Sequence, residues 1–596
     1  MTEAGSLDRS YRLHALVCTA LLLGCALATR PFAEIGISDD FSYIRSAEVL
    51  AQTGHIVYNG VANPILGWQL YLGAVFIKLF GFSFTTARAP ILMISVATTY
   101  LLQRVMARFG LSPASATLGT LTVMLSPSWF ILTEIFMTDA AGLFALVLCF
   151  YGCQRAVLAR DNFSAVGWLC LAGLTDIVGG TARQIAWLGV LVLVPATAWL
   201  LRRRKGVLLS GALLWVIGIA AIAICSHWFL EQPYTLKEKM IQNSSGSLVH
   251  ASTLASVART MLRTLPSLPL LAMPVMMIFT QGMLRLGRRI VTLAVSVICA
   301  GAGLCLAATY FLLHRGVPPE KFLPPWLGYN WTVYGIMQGV EIAGHPAVVL
   351  SPAYQFALVL GVILCSVCVI AQVATAPART GHTSSAAGPV SASLTWKESL
   401  ALLTPFSVAY FALLLPRATD STASDRYLIP LVIVMVVVLL RVAQQRSLSV
   451  SYWAGVVTLI LFSIYAVAGT HDQFSFERAR VQAAQQVMDA GVPRASIEGG
   501  WEFDGWTQIV TQGYLDDSRL QGVKHSAGRP DPNHCHGLIY AEVPMVQPVY
   551  QLAFSPEGCF ARSQFPAVTF YTWLPPYRQK IYTQKVFQGG DGKSGQ

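Results

Sequence analysis

The chain has 596 residues, of which 54% are hydrophobic and only 12% charged, with a formal net charge of +12. A soluble globular chain carries roughly 25% charged residues, so a water-soluble enzyme of this length is excluded. A nucleic-acid partner is not indicated either, because Lys and Arg fall in short bursts between apolar runs and do not gather on one soluble domain.

The apolar runs are continuous and do not alternate, as in LIPLVIVMVVVLL at 428–440. No water inside a bilayer can satisfy backbone groups, so spanning segments are helices or a closed barrel, and continuous runs select helices. Full spans are expected at 13–29, 89–107, 114–133, 138–158, 163–180, 185–201, 207–229, 260–281, 290–313, 353–373, 398–415, 427–441 and 451–468, thirteen in all. The first begins behind Arg9 and Arg12 and reads as an uncleaved anchor, since many spans follow it. Basic clusters mark cytoplasmic ends: Arg155 and Arg160, Arg202 to Lys205, Arg285 to Arg289, Arg441 and Arg446. They predict a multi-pass protein of the plasma (inner) membrane, with its N-terminus in the cytoplasm and its C-terminus outside. The short run 65–80 holds Lys78 and reads as a partial helix, because a full crossing there would put the loop 30–64 and Asp139 on opposite faces.

Ten of the twelve cysteines lie in apolar runs and read as small hydrophobes. Cys535 and Cys559 fall in the polar C-terminal part and are a candidate disulfide outside the cytoplasm. The cluster His534-Cys535-His536 lacks normal zinc spacing. Residues 376–393 are low-complexity and read as a cytoplasmic linker. Beyond 470 the composition changes: an amphipathic stretch Phe476–Ala490 is closed by Gly491 and Pro493, and short β-like runs such as Gly537–Val543 follow. The expected fold is an all-α polytopic membrane protein of about thirteen spans (1–469) with a small extracytoplasmic α+β domain (470–596).

The informative loop is ISDDFSYIRSAEVLAQTGHIVYNGVANP at 37–64. Apolar residues from Phe41 to Ala51 fall at helical spacing, which predicts an amphipathic helix on the membrane surface with Ser38 as its cap and Asp39 and Asp40 at its start. An isolated acidic pair at a helix start is ordinarily structural. Here Glu134 and Asp139, Arg183 in a Gly-rich hinge, and Asp425-Arg426-Tyr427 are all expected at span edges on the same face. That grouping suits one chemistry. A carboxylate takes the proton of an acceptor hydroxyl as it attacks an activated sugar, and forked arginine donors stabilise the departing lipid phosphate at the interface. A transporter or flippase of a lipid-linked glycan, the competing reading, would place paired charges inside the spans near the midplane; a non-catalytic scaffold is the third. Trp501 and Trp506, in GGWEFDGW, read as structural tryptophans, with a sugar-stacking surface as the alternative. His55, Lys237, Lys239 and His345 are weaker candidates.

Several motifs in order resemble the GT-C glycosyltransferases that use polyprenyl-phosphate sugars, of the protein O-mannosyltransferase and aminoarabinose transferase type. Asp39-Asp40-Phe41-Ser42-Tyr43 is similar to their Asp-Glu-x-x-Tyr motif in the first external loop. Gly54–Gly60 with Asn63-Pro64, Lys78–Gly81, Ala87–Pro90, Ser126-Pro127, Met137–Ala140 and Arg426–Pro430 follow in the family's order. The resemblance covers 30–160 and part of 420–435. It implies an active site on the outer face and inversion at the anomeric carbon, with Asp39 as base and Asp40 as a second catalytic acid. Tyr43, Glu134, Asp139, Arg183, Arg426 and Tyr427 are then the substrate-binding residues. The implied partners are a polyprenyl-phosphate sugar donor, a lipid, protein or polysaccharide acceptor, and membrane lipids. Asp40 stands where the family has Glu, and Asn63 where some relatives carry an acid. No cofactor is therefore assumed, and a divalent metal is left open.

Overall fold

A computed structural model of the chain describes residues 3–61, 65–235, 251–338, 342–375, 393–419, 423–515, 543, 545–556 and 561–585. The first half begins with α1 (Glu3–Ala28), α2 (Asp40–Thr53), α3 (Trp68–Phe80), α4 (Phe84–Arg108) and α5 (Pro113–Met124). It continues with α6 (Thr138–Leu158), α7 (Asn162–Ala182), α8 (Val194–Leu200) and α9 (Lys205–Glu231). The second half holds α10 (Ala251–Leu271), α11 (Arg288–His314), α12 (Pro352–Thr375), α13 (Trp396–Thr419), α14 (Ile429–Gln445), α15 (Tyr452–Asp489) and α16 (Trp501–Gln512).

Among the described residues ten helices are long and apolar enough to cross a membrane, or eleven if the bent pair Ala255–Leu271 and Met273–Met283 is one span. Three of the thirteen expected spans are absent as single helices: 114–133, 185–201 and 260–281, the last being the bent pair. In 114–133 the helix stops at Met124; Ser126-Pro127 follows, and a single 3-10 turn covers Phe130–Thr133. Proline's missing N–H and its ring prevent the helix from running on. Residues 185–201 break into a 3-10 turn, a π turn at Gly189–Leu193 and the seven-residue α8, which has Pro195 in its first turn. Gly180 marks the cause, since a Cβ there would meet the Trp187 ring at 1.9 Å, so the chain turns sharply back on itself. The 61° bend after Leu271 falls beside Pro274, which opens the next helical turn. Helix α3, with 13 residues, is about 20 Å long, short of the roughly 30 Å hydrocarbon layer.

Side-chain contacts define the two ends of the bundle. At one end Arg104 meets Asp8 at 2.7 Å, Tyr11 bonds to the Leu111 carbonyl, and Arg441 bonds to Ser399 and the Leu394 carbonyl. Arg108 lies over Tyr151 and Arg155 over Trp168 at that same end. The opposite end gathers the end of α1, the starts of α2, α4 and α6, the end of α7 and the start of α14. The loop after α1 and Asp139 therefore share one end of the bundle.

Helix α15 runs for 38 residues without a break, across the expected domain boundary at 469. At 1.5 Å per residue it is about 57 Å long, nearly twice the hydrocarbon thickness. Its second half carries buried His471, Asp472, Glu477 and Arg480 against the C-terminal strands. These strands form a five-stranded sheet: β3 (Ile497–Glu498) pairs parallel with β4 (Tyr550–Ala553), and β7 (Arg578–Lys585) pairs antiparallel with β4, β5 (Ala561–Arg562) and β6 (Val568–Tyr571). A short hairpin of β1 (Trp331–Thr332) and β2 (Gly335–Ile336) stands apart. The region is α+β, as expected. The candidate disulfide Cys535–Cys559, the cluster 534–536, residues 376–392, and Gly537–Glu542 of the β-like run lie outside the described residues.

Candidate active site

The turn that enters α2 sets the geometry. Ser38 has φ +56°, in the left-handed region, and is not the helix cap; Asp39 stands at that position and makes no capping bond with its side chain. Asp40 is fully buried. Its carboxylate accepts from the Ile37 N–H at 2.7 Å, from Arg88 Nε at 2.8 Å and from the Phe136 N–H at 3.4 Å. Arg88 also donates to the carbonyls of Ala33 and Ile35. Asp40 thus ties the first loop to α4 and to the turn before α6. Burial pushes its carboxyl above the usual range, with Arg88 opposing.

Asp39 is half-buried and points elsewhere. Burial raises its pKa; Arg426 and a side-chain hydrogen bond from Trp501 lower it, and Glu502 and Asp40 raise it. Tyr43 lies one helical turn along the same face of α2 and is buried. Its hydroxyl meets the Thr138 side chain, close enough to Asp39, Arg183 and Asp139 to feel their charge, and burial pushes its pKa up.

Asp139, in the first turn of α6, sits between two arginines: Arg183 at 3.0 Å and Arg426 Nε at 3.9 Å. Arg183 follows the end of α7 and also donates to Thr138 Oγ1 at 3.1 Å. Gly142 leaves it room, since a Cβ there would meet Arg183 Cβ at 2.8 Å. Arg426 is buried, and its Nε and one terminal nitrogen make no hydrogen bond to the described residues. Rings flank both guanidinium groups: Tyr427 lies 5.1 Å from that of Arg183, and Tyr329 lies 5.0 Å from that of Arg426. Among the described residues the carboxylate of Asp425 makes no ion pair with the Arg426 guanidinium, though it accepts from the Arg426 backbone N–H at 3.0 Å. It accepts from the N–H groups of Asn330 and Trp331 at 3.0 and 2.9 Å, holding the β1–β2 hairpin over the site.

Asp139, Arg183, Arg426 and Tyr427 form the polar end of a narrow cleft whose walls include Leu143, Leu146 and Ile185. Buried arginine donors without partners are costly unless an anion meets them, and an apolar wall beside them suits an acyl chain. Glu134 is not part of this cleft. It accepts from Thr29 at 2.6 Å at the end of α1, and burial raises its carboxyl well above the usual range. His55 is exposed at the far end of α2, His345 lines a separate cleft with Arg578 and Tyr582, and Lys237 and Lys239 lie outside the described residues. Trp506 stacks on Phe82, a structural contact, and Trp501 meets Phe41 edge-on while its indole N–H reaches Asp39. Arg88 and Glu502 went unread as site residues. Arg88 had a signal, the Ala-Arg-x-Pro step; Glu502 had none but its place between two conspicuous tryptophans.

Among the described residues no group of three His, Cys, Asp or Glu side chains is placed to hold a metal ion. Of the acids at the site, Asp40 is held by Arg88 and Asp139 lies between two arginines.

The fold and site define a polytopic helical membrane protein with a carboxylate and an arginine-lined cleft at one end of its bundle. No family model matches the chain, and no curated protein matches it. Among solved structures it is similar to ArnT from Cupriavidus metallidurans bound to undecaprenyl phosphate, at 12% identity over 95% of this chain and 97% of that one, with a TM-score of 0.36. It is also similar to the archaeal oligosaccharyltransferase AglB from Archaeoglobus fulgidus, at 11% identity over 80% of this chain and 58% of that one, TM-score 0.34. The arabinosyltransferase EmbB from Mycobacterium smegmatis aligns at 14% identity over 74% of this chain and 41% of that one, TM-score 0.29. With scores this low the likenesses are of broad architecture, and the residues of the cleft carry the functional reading.

Proposed function

We propose that the chain is an inverting glycosyltransferase that moves a sugar from a polyprenyl-phosphate donor to an acceptor on the outer face of the membrane. One observation carries this reading: a half-buried carboxylate, Asp39, lies within charge range of Arg426, which lines an apolar-walled cleft with Arg183 and keeps donors without a hydrogen-bond partner among the described residues. The polyprenyl chain lies along Leu143, Leu146 and Ile185, and its phosphate meets Arg183 and Arg426. The acceptor hydroxyl attacks the anomeric carbon from the face opposite the phosphate and gives its proton to Asp39. A bond forms from that carbon to the acceptor oxygen as its bond to the phosphate oxygen breaks. The electron pair leaves with the phosphate, whose growing charge the guanidinium groups neutralise. Asp139 holds the two arginines apart and aimed. Tyr43 and Tyr427 line the space between base and phosphate, and Asp40 acts by fixing the turn that carries Asp39.

A transporter needs paired charges within the spans. Asp176 is buried in α7, but among the described residues no salt bridge reaches it; it packs on Gly189 and Cys149. The test is mass spectrometry of envelope glycans from cells with the parent protein, without it, and with Asp39→Asn. The expected result is that one glycan modification vanishes in both the deletion and the variant while the variant protein stays in the membrane at parent level. Parent-level modification by Asp39→Asn overturns the role of Asp39.

A further inference from the structure

The C-terminal region does more than sit above the membrane part: its helix α16 packs on α2 at the turn that carries Asp39. Gly36 has a backbone that only a residue without a side chain allows here, since a Cβ would meet Phe41 Cβ at 2.6 Å and Glu502 Cβ at 3.2 Å. Gly505, one turn along α16, approaches the Phe41 ring so closely that a Cβ would lie 2.7 Å from it. Trp501 closes the contact edge-on to Phe41, with ring centroids 5.9 Å apart at 81°.

Polar bonds inside this contact converge on the turn. The Ser38 N–H donates to Glu502 Oε1 at 3.0 Å, and Ser38 holds a left-handed φ of +56° that a serine seldom adopts unsupported. The second oxygen of Glu502 accepts from Arg480 at 2.8 Å. Arg480 is fully buried on α15, and Glu477 lies 3.2 Å from its Nε. Glu502 is thus anchored from behind by an ion pair on the long helix, and its free direction points at the Ser38 backbone. The Trp501 indole N–H donates to the Asp39 carboxylate. Consecutive residues of α16 therefore hold the backbone before Asp39 and the carboxylate itself.

We propose that Glu502 and Trp501 are positioning residues for Asp39, fixing the turn that carries it and the direction of its carboxylate. The proposal rests on the reading of Asp39 as the base. It makes the C-terminal region a working part of the active site, because the two side chains that orient the base belong to it and not to the membrane bundle.

The test uses the full-length protein in native membrane vesicles with four variants: Trp501→Phe, Glu502→Gln, Glu502→Ala and Asp39→Asn. Trp501→Phe keeps a ring against Phe41 and removes only the N–H. Glu502→Gln keeps an oxygen for the Ser38 N–H, whereas Glu502→Ala does not. Two quantities are read: binding of undecaprenyl phosphate, and the rate of transfer from endogenous donor to endogenous acceptor against pH. Expected for Trp501→Phe is binding within twofold of the parent, transfer reduced about tenfold, and an acid limb moved to higher pH. That shift follows because the lost donor favoured the ionised carboxylate. The other groups facing Asp39 stay in place: Arg426, Tyr329, Tyr43, Asp40 and Glu502. Glu502→Ala should lose transfer with binding kept, and Glu502→Gln should recover most of it.

Parent-like transfer and an unmoved acid limb in both Trp501→Phe and Glu502→Ala, with Asp39→Asn inactive, overturn the positioning role and leave the base standing. Loss of binding and transfer together, in proportion to protein lost from the membrane, also overturns it, by showing a purely structural contact. Parent-like transfer by Asp39→Asn removes the base reading, and the proposal with it.

Discussion

Asp39 and Asp40 are chemically identical neighbours, yet the fold gives them opposite tasks. Adjacent residues at a helix start point about 100° apart, so one carboxylate turns inward to Arg88 and two backbone N–H groups while the other, half-buried, meets Trp501 within charge range of Arg426. Removing one partner of a buried pair is destabilising by about 3 kcal/mol or more. Asp40→Asn should therefore lower the unfolding midpoint in detergent, measured by intrinsic fluorescence, where Asp39→Asn leaves it near the parent value. Asp39 has its carboxyl raised chiefly by burial. A protonated carboxyl cannot accept the hydroxyl's proton, so transfer should fall as pH drops through a value above the ordinary aspartate range. A pH–rate profile whose acid limb lies at or below that range contradicts this. The sequence pointed to the acidic pair, and its resemblance to Asp39 as base, but not to the burial of Asp40 against Arg88. That is decided by Arg88, 48 residues away, and by the turn before α6.

Elements that sequence alone located well are those whose ends carry local chemistry. Helix α6 spans Thr138–Leu158, matching the expected 138–158, because acids and a basic cluster bracket a continuous apolar run. The segment 114–133 is just as apolar but holds Ser126-Pro127, and its composition conceals that the chain leaves helical geometry there. Likewise 185–201 reads as one span until the packing of Trp187 against Gly180 is seen. Both irregular stretches border the cleft: Trp129 follows the first break and Arg183 precedes the second. The packing of α6 against Arg183 gives a prediction at this scale. Gly142→Ala should push Arg183 from its place, since the new methyl would lie 2.8 Å from its Cβ. Undecaprenyl phosphate binding, followed by titration in detergent, should weaken about tenfold, the equivalent of roughly 1.4 kcal/mol, with little change in unfolding midpoint. Unchanged binding would show that Arg183 does not meet the phosphate.

For the whole molecule, two opposite ends of one bundle were legible from charge placement, and the contacts bear out that the loop after α1 and Asp139 share an end. Which compartment that end faces is a matter for labelling. Arg203 and Arg578 are both exposed. In intact cells an impermeant maleimide should reach Arg578→Cys directly and Arg203→Cys only after permeabilisation; the reverse pattern would invert the orientation and remove the outer-face site. The boundary expected at 469 from the change of composition falls inside one unbroken helix, Tyr452–Asp489.

That unbroken rod has a further consequence. A helix cannot telescope, so the distance between its greasy lower half and Arg480 is constant. Hydrophobic mismatch is absorbed by leaning, and a lean of α15 carries Arg480, which backs Glu502, together with Arg478, which donates to the Arg30 and Phe32 carbonyls of the first loop. On the proposed role of Asp39, transfer in vesicles should then change with lipid chain length, and a rate independent of chain length contradicts this.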